Sequence, residues 1–140
     1  MQRREFLKSS CTYCMAISSG LLLTSLSSCA SAPVLEAQVV DSKLTVPLSA
    51  FAGSDLQILR PSNLLFDIAL RREADGQFRA LVLQCTHASN QLTQTGDGYT
   101  CPAHGSVFDI EGRVTRGPAQ LPLRHLPTEQ SQGMIVVYLR

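Results

Sequence analysis

The stretch CTHASNQLTQTGDGYTCPAHGS, Cys85 to Ser106, holds two cysteines, each followed closely by a histidine: Cys85-x-His87 and Cys101-x-x-His104. In an extended segment, side chains two apart point to the same side. Cys85 and His87 can therefore grip one object together. Cys101 and His104 can do so across a turn that Pro102 stiffens and Gly105 relaxes. A hairpin from Ala88 to Thr100, turning at Gly96-Asp97-Gly98, brings the two grips face to face. Two sulfurs and two nitrogens suit zinc or an iron–sulfur cluster, and two cysteines could also form one disulfide in an exported protein. The histidines and flanking glycines favour the metal. Common zinc sites keep like ligands in pairs, whereas here each arm mixes Cys and His. Mixing suits an object with two centres, to each of which each arm gives one ligand, as in a [2Fe–2S] cluster with two Cys on one iron and two His on the other.

Outward from this stretch the chain reads as short strands and turns. AQVVDSKLTVPL alternates about Asp41-Ser42 and predicts a hairpin, and a short strand follows at Leu56–Leu59. LLFDIALRREADGQFRALVLQ reads as two apolar strands about Asp75-Gly76, which has the residue type of a tight hairpin turn. SVFDIEGRVTRG predicts another short hairpin about Glu111-Gly112, and GMIVVYLR a final buried strand. No helical period stands out after residue 33. Many short strands with regular turns indicate an all-β sandwich or barrel. Asp109 is expected to order its turn, Arg113 and Arg116 to face solvent, and His125 to be a strand or edge residue rather than a ligand.

The 140 residues amount to one domain with a targeting segment. The first 32 residues hold Arg3, Arg4, Glu5 and Lys8; the remainder has 9 basic and 10 acidic side chains. That balance excludes nucleic acid and gives no electrostatic pull toward an anionic membrane surface. MQRREFLKSS places Arg3-Arg4 before Phe6-Leu7-Lys8, and an uncharged run from Ser9 to Leu35 follows, the order of a signal peptide. It resembles a twin-arginine signal. Leu26 to Ala30, LSSCA, resembles a lipobox, which would make Cys29 a lipidated N-terminal residue. Cleavage at Ala30-Ser31-Ala32 and retention as an anchor are the other fates. Retention is physically the weakest, because a span needs roughly 20 predominantly apolar residues and this run holds many hydroxyls and Gly20. Cys11 and Cys14 sit inside the signal and read as bystanders. The expected organisation is a signal, lipoprotein or anchor segment over 1–32 and one redox domain over 33–140.

C-x-H, thirteen residues, then C-P-x-H-G-S, followed by Phe108-Asp109, Gly112-Arg113-Val114 and Gly117-Pro118-Ala119, resembles the Rieske [2Fe-2S] family. The resemblance implies an antiparallel β-sandwich or barrel with a small cluster-binding subdomain of two loops, and one [2Fe–2S] cluster as cofactor. It implies that Cys85 and Cys101 hold the inner iron and that His87 and His104 hold the outer iron near the surface. Ser106 would donate to a bridging sulfide, and Pro118 would belong to a loop covering the cluster. Rieske subunits of cytochrome bc complexes usually carry two further cysteines, where this chain has Asn90 and Ala103, and a Tyr where it has Phe108. The bracing disulfide cannot form here, and one hydrogen-bond donor to sulfur is missing.

The function so implied is one-electron transfer by an exported, membrane-tethered protein on the periplasmic side, held by a lipid or an N-terminal anchor. Its partner would be a redox protein or a quinol-linked membrane protein. By itself such a chain is an electron carrier; oxidoreductase activity belongs to a complex. The alternatives are a Rieske subunit of a larger oxidoreductase, cytochrome bc or arsenite-oxidase-like, and a zinc-stabilised binding domain.

Overall fold

The structure, a computed structural model, describes residues 32–140. The readings of Arg3-Arg4, Cys11, Cys14 and Cys29 lie outside the described residues. Among these there is no α-helix, only strands and a single 3-10 turn at Leu48–Phe51, so none is long and apolar enough to cross a membrane.

The strands build three sheets. The largest has the order β1 (Val34–Ala37), β3 (Leu56–Pro61), β4 (Ile68–Arg72), β5 (Phe78–Val82), β10 (His125–Leu126). A second has β11 (Thr128–Ser131), β12 (Met134–Tyr138), β2 (Lys43–Pro47). The third is a meander of β6 (Thr93–Thr95), β7 (Gly98–Thr100), β8 (Val107–Asp109) and β9 (Val114–Arg116). All pairings are antiparallel except β1 with β3.

Successive side chains of a strand point to opposite faces, and the five-stranded sheet buries both. Ile58, Ala69 and Leu81 enter a core with Leu92, Tyr99 and Phe108 of the meander side. Leu59, Ile68, Leu70 and Ala80 enter a second core with Leu44, Ile135 and Val137 of the three-stranded sheet. Double coverage explains why four consecutive residues of β3, Leu56 to Leu59, are buried. Gln57 tolerates this because its Nε2 donates to the Ala50 carbonyl at 2.7 Å. Strand β12 differs from its expected full burial: Ile135 and Val137 are buried while Met134, Val136 and Tyr138 are half-buried, because its sheet has a core on one face only.

The hairpins at Asp75-Gly76, Gly96-Asp97 and Glu111-Gly112 form as their turn residues require. The one at Asp41-Ser42 forms only its turn. Both residues have positive φ, 49° and 59°, and Val40 and Lys43 exchange backbone hydrogen bonds. Beyond that single bridge the chain leaves β2, and β1 runs parallel along β3, Val34 opposite Ile58. There Leu35, Ala37 and Val39 pack on the second core. The Pro33 and Ala37 carbonyls accept from the Ile58 and Ser62 N–H groups, which closes an otherwise open sheet edge.

Gly98 is required by close approach. A Cβ there would collide with the Phe108 carbonyl of the neighbouring strand.

Candidate metal centre

Two loops leave this frame with the same backbone wiring. In the first, Cys85 N–H donates to the Asn90 carbonyl at 2.8 Å, and Ser89 N–H donates to the Cys85 carbonyl at 2.9 Å. In the second, Cys101 N–H donates to the Ser106 carbonyl at 2.8 Å, and Gly105 N–H to the Cys101 carbonyl at 2.9 Å. The residue four after each cysteine has positive φ, 51° at Ser89 and 76° at Gly105. Residues 86–88 are thus a turn, not the extended segment that C-x-H suggested. The turn, rather than strand alternation, aims His87. No Gly or Pro lies within 86–88 to signal it.

The loops sort these four side chains by depth. Cys85 and Cys101 are 1% and 0% exposed, and both are free thiols. His87 and His104 lie at the surface, their rings edge to face with centroids 5.0 Å apart. Burial pushes the Cys85 thiol up. Backbone N–H groups of His87 and Ala88, with Cys101 and the Ser106 hydroxyl, more than offset this and hold it below the ordinary thiol range. Such a sulfur is prepared to be a thiolate ligand. A single zinc ion would ask all four side chains to converge on one point. Two buried sulfurs and two facing imidazoles fit a two-centre group instead.

A third loop ties to both. Ala119 N–H donates to Ser106 Oγ at 3.0 Å, and Thr86 Oγ1 donates to the Leu121 carbonyl at 2.7 Å. Ser106 is fully buried, and accepting from Ala119 leaves its own proton for sulfur. Pro118 is exposed on this loop. Phe108 is fully buried in β8, opposite Tyr99. Asn90 Nδ2 donates to the Ala88 carbonyl within its own loop, at one of the positions that lack a bridging cysteine. His125 stands exposed on β10, an edge strand, as anticipated. Asp109 Oδ1 accepts from Glu111 and Arg113 N–H, ordering its turn, and Oδ2 pairs with the exposed Arg113. The Thr86 and Ala119 contacts had no local signal; they join residues 35 and 13 apart.

A match to the Rieske [2Fe-2S] domain family extends over residues 36–127. The chain belongs to this family, and its cofactor is one [2Fe–2S] cluster. It is 38% identical over 71 residues to the cytochrome b-c1 complex subunit Rieske, mitochondrial, of Rattus norvegicus, a match covering 49% of this chain and 26% of that protein. The corresponding subunit of Saccharomyces cerevisiae is 38% identical over 69 residues, covering 47% and 32%. The chain thus spans about a quarter to a third of the length of these relatives. Among solved structures, a chain of the complex of reduced oxygenase and oxidized ferredoxin in carbazole 1,9a-dioxygenase superposes with a TM-score of 0.52. That match has 26% identity and covers 71% of this chain and 95% of that one.

Proposed function

We propose that this protein carries single electrons, with Cys85 and Cys101 holding the inner iron of the cluster and His87 and His104 the outer one. The observation that supports this reading is the sorting by depth: both thiols in the dry interior, both imidazoles at the surface and facing each other. When bound, such a cluster supplies one-electron chemistry; two imidazoles in place of two thiolates make its oxidised form neutral rather than −2, and potentials of the type span ≈ −150 to +300 mV. The chain's own residues do the rest. The loop amides and Ser106 stabilise negative charge on Cys85. The exposed histidines offer a partner the short way in, and a ring nitrogen of each that bears no iron can hold or release a proton.

Export by the twin-arginine route, with a lipid on Cys29 as tether on the periplasmic side, completes the proposal and rests on Arg3-Arg4 and on Leu26 to Ala30. The partner would be a redox protein or a quinol-linked membrane protein. Membership of a larger oxidoreductase is the second reading. Identity to b-c1 subunits over about half of the chain favours it, and Asn90, Ala103 and Phe108 weigh against a bc-type role.

Metal and sulfide analysis with EPR tests the ligand assignment. The expected result is two irons and two acid-labile sulfides per chain, with the signal of a mixed Cys/His cluster on reduction. One zinc per chain would overturn it. His104→Cys should lower the potential where the cluster survives, because it adds a negative ligand.

A further inference from the structure

In each cysteine–histidine loop a side chain catches the carbonyl of the residue that follows the histidine. In the first loop the Ala88 carbonyl accepts from Asn90 Nδ2 at 3.1 Å. In the second the Gly105 carbonyl accepts from Arg116 Nε at 3.1 Å. Neither carbonyl receives a backbone N–H among the described residues. Each loop is held one residue past its histidine. The first hold is local, two residues along the chain, whereas the second reaches across eleven, from the end of β9.

The second loop has the greater need of it. At the place four after the cysteine, the first loop has Ser89, whose hydroxyl accepts from Gln84 Nε2 at 3.0 Å. The second has Gly105, at φ 76°, with no side chain to hold. A glycine restrains its neighbours least, so restraint there has to come from outside the loop. The meander sets Arg116 for this: it pairs with Val107, which directly follows Ser106, and it directly precedes the third loop. Nearby Arg113 is occupied by Asp109 and Glu111 at 2.8 and 2.7 Å. Arg116 enters no ion pair among the described residues. Its hydrogen bond is exposed and competes with water, so it adds little to stability. What it adds is position.

We propose that, with His87 and His104 read as the ligands of the outer iron, Arg116 is a positioning residue for His104. Through the Gly105 carbonyl it fixes the loop that presents this imidazole, as Asn90 does for His87. Groups outside the ligand set orient the ligands within it.

The test uses the full-length, cluster-loaded protein and three variants that separate the donor from the charge. Glutamine carries Nε2 as many bonds from the backbone as arginine carries Nε, so Arg116→Gln keeps a donor at that place and loses the charge. Arg116→Lys keeps the charge and puts a methylene there. Arg116→Met loses both. EPR of the reduced protein reads ligand geometry, and bleaching of the visible spectrum in excess EDTA reads how firmly the ligands hold. Arg116→Gln should match wild type in both. Arg116→Lys and Arg116→Met should shift the g-values and bleach about tenfold faster, with Tm close to wild type throughout. Asn90→Ala should shift the g-values from the other loop. Lysine matching wild type while glutamine departs from it would assign the effect to charge and overturn the proposal. Identical spectra and bleaching rates across the Arg116 series, beside an intact mixed Cys/His signal, would overturn it too. A wild type without that signal would overturn the ligand reading, and this role with it.

Discussion

Ser106 does two jobs with one hydroxyl. It accepts from Ala119 N–H and, with the loop amides, helps hold the Cys85 thiol below the ordinary range. A hydrogen bond to a charged group is worth ~1.5–3 kcal/mol, and only the part that differs between redox states moves a potential. For one electron, 59 mV is a tenfold change in equilibrium, about 1.4 kcal/mol. If ~1–2 kcal/mol is differential, Ser106→Ala should lower the midpoint by roughly 50–100 mV. The same change strands the Ala119 N–H, so the Tm should fall as well. Phe108→Tyr, which would restore a donor at a fully buried position, should raise the midpoint. Protein-film voltammetry at neutral pH checks both. A midpoint that ignores both changes would show that these donors do not tune the cluster. That Cys85, His87, Cys101, His104, Ser106 and Phe108 gather on two neighbouring loops was legible in the sequence because their spacing is local. That Ser106 also anchors the third loop was not, because its partner Ala119 comes from the far side of a hairpin.

Among the elements, the β7–β8–β9 meander sets the second loop, and two of its residues are exposed to test. Gly98→Ala would drive a Cβ into the Phe108 carbonyl. Forcing those strands apart should cost ~1–3 kcal/mol, seen as a lower Tm and faster bleaching of the visible spectrum. Asp109 closes the β8–β9 turn. Burial raises its pKa, but Arg113 and the N–H groups of Arg113 and Glu111 outweigh that and leave it depressed. A depressed carboxyl stabilises the fold above its unfolded pKa of about 3.9, and that contribution disappears as pH falls through the lower folded value. The Tm difference between wild type and Asp109→Asn should therefore be full near about pH 6 and shrink below about pH 4; a constant difference would refute the role. Turn chemistry made these hairpins readable, since Asp75-Gly76 and Glu111-Gly112 join neighbours in the chain. It could not reveal that β1 pairs with β3, because alternation reports which face a residue takes and not which strand lies beside it. The turn at 86–88 escaped for a related reason: its hydrogen bonds join Cys85 to Ser89 and Asn90, in a run that holds no Gly or Pro.

At the scale of the whole molecule, the proposed export signal and the proposed metal centre make one prediction together. Arg3→Lys with Arg4→Lys should leave cluster-loaded protein in the cytoplasm, and the intact mass of the membrane form should begin at Cys29 with acyl groups added. A mature chain beginning at Pro33 would refute the lipid and leave the centre untouched. The three sheets and two cores supply a frame that is complete without a covalent cross-link. Cys85 and Cys101 are the only cysteines after residue 32, and no disulfide joins them. The three loops are joined instead through Thr86, Leu121, Ala119 and Ser106. Folding of this domain therefore needs no disulfide-forming step. It can be finished under reducing conditions and, on the proposed export route, before any membrane is crossed. A phosphine reductant should accordingly leave its Tm and visible spectrum unchanged, where a domain braced by a disulfide would loosen.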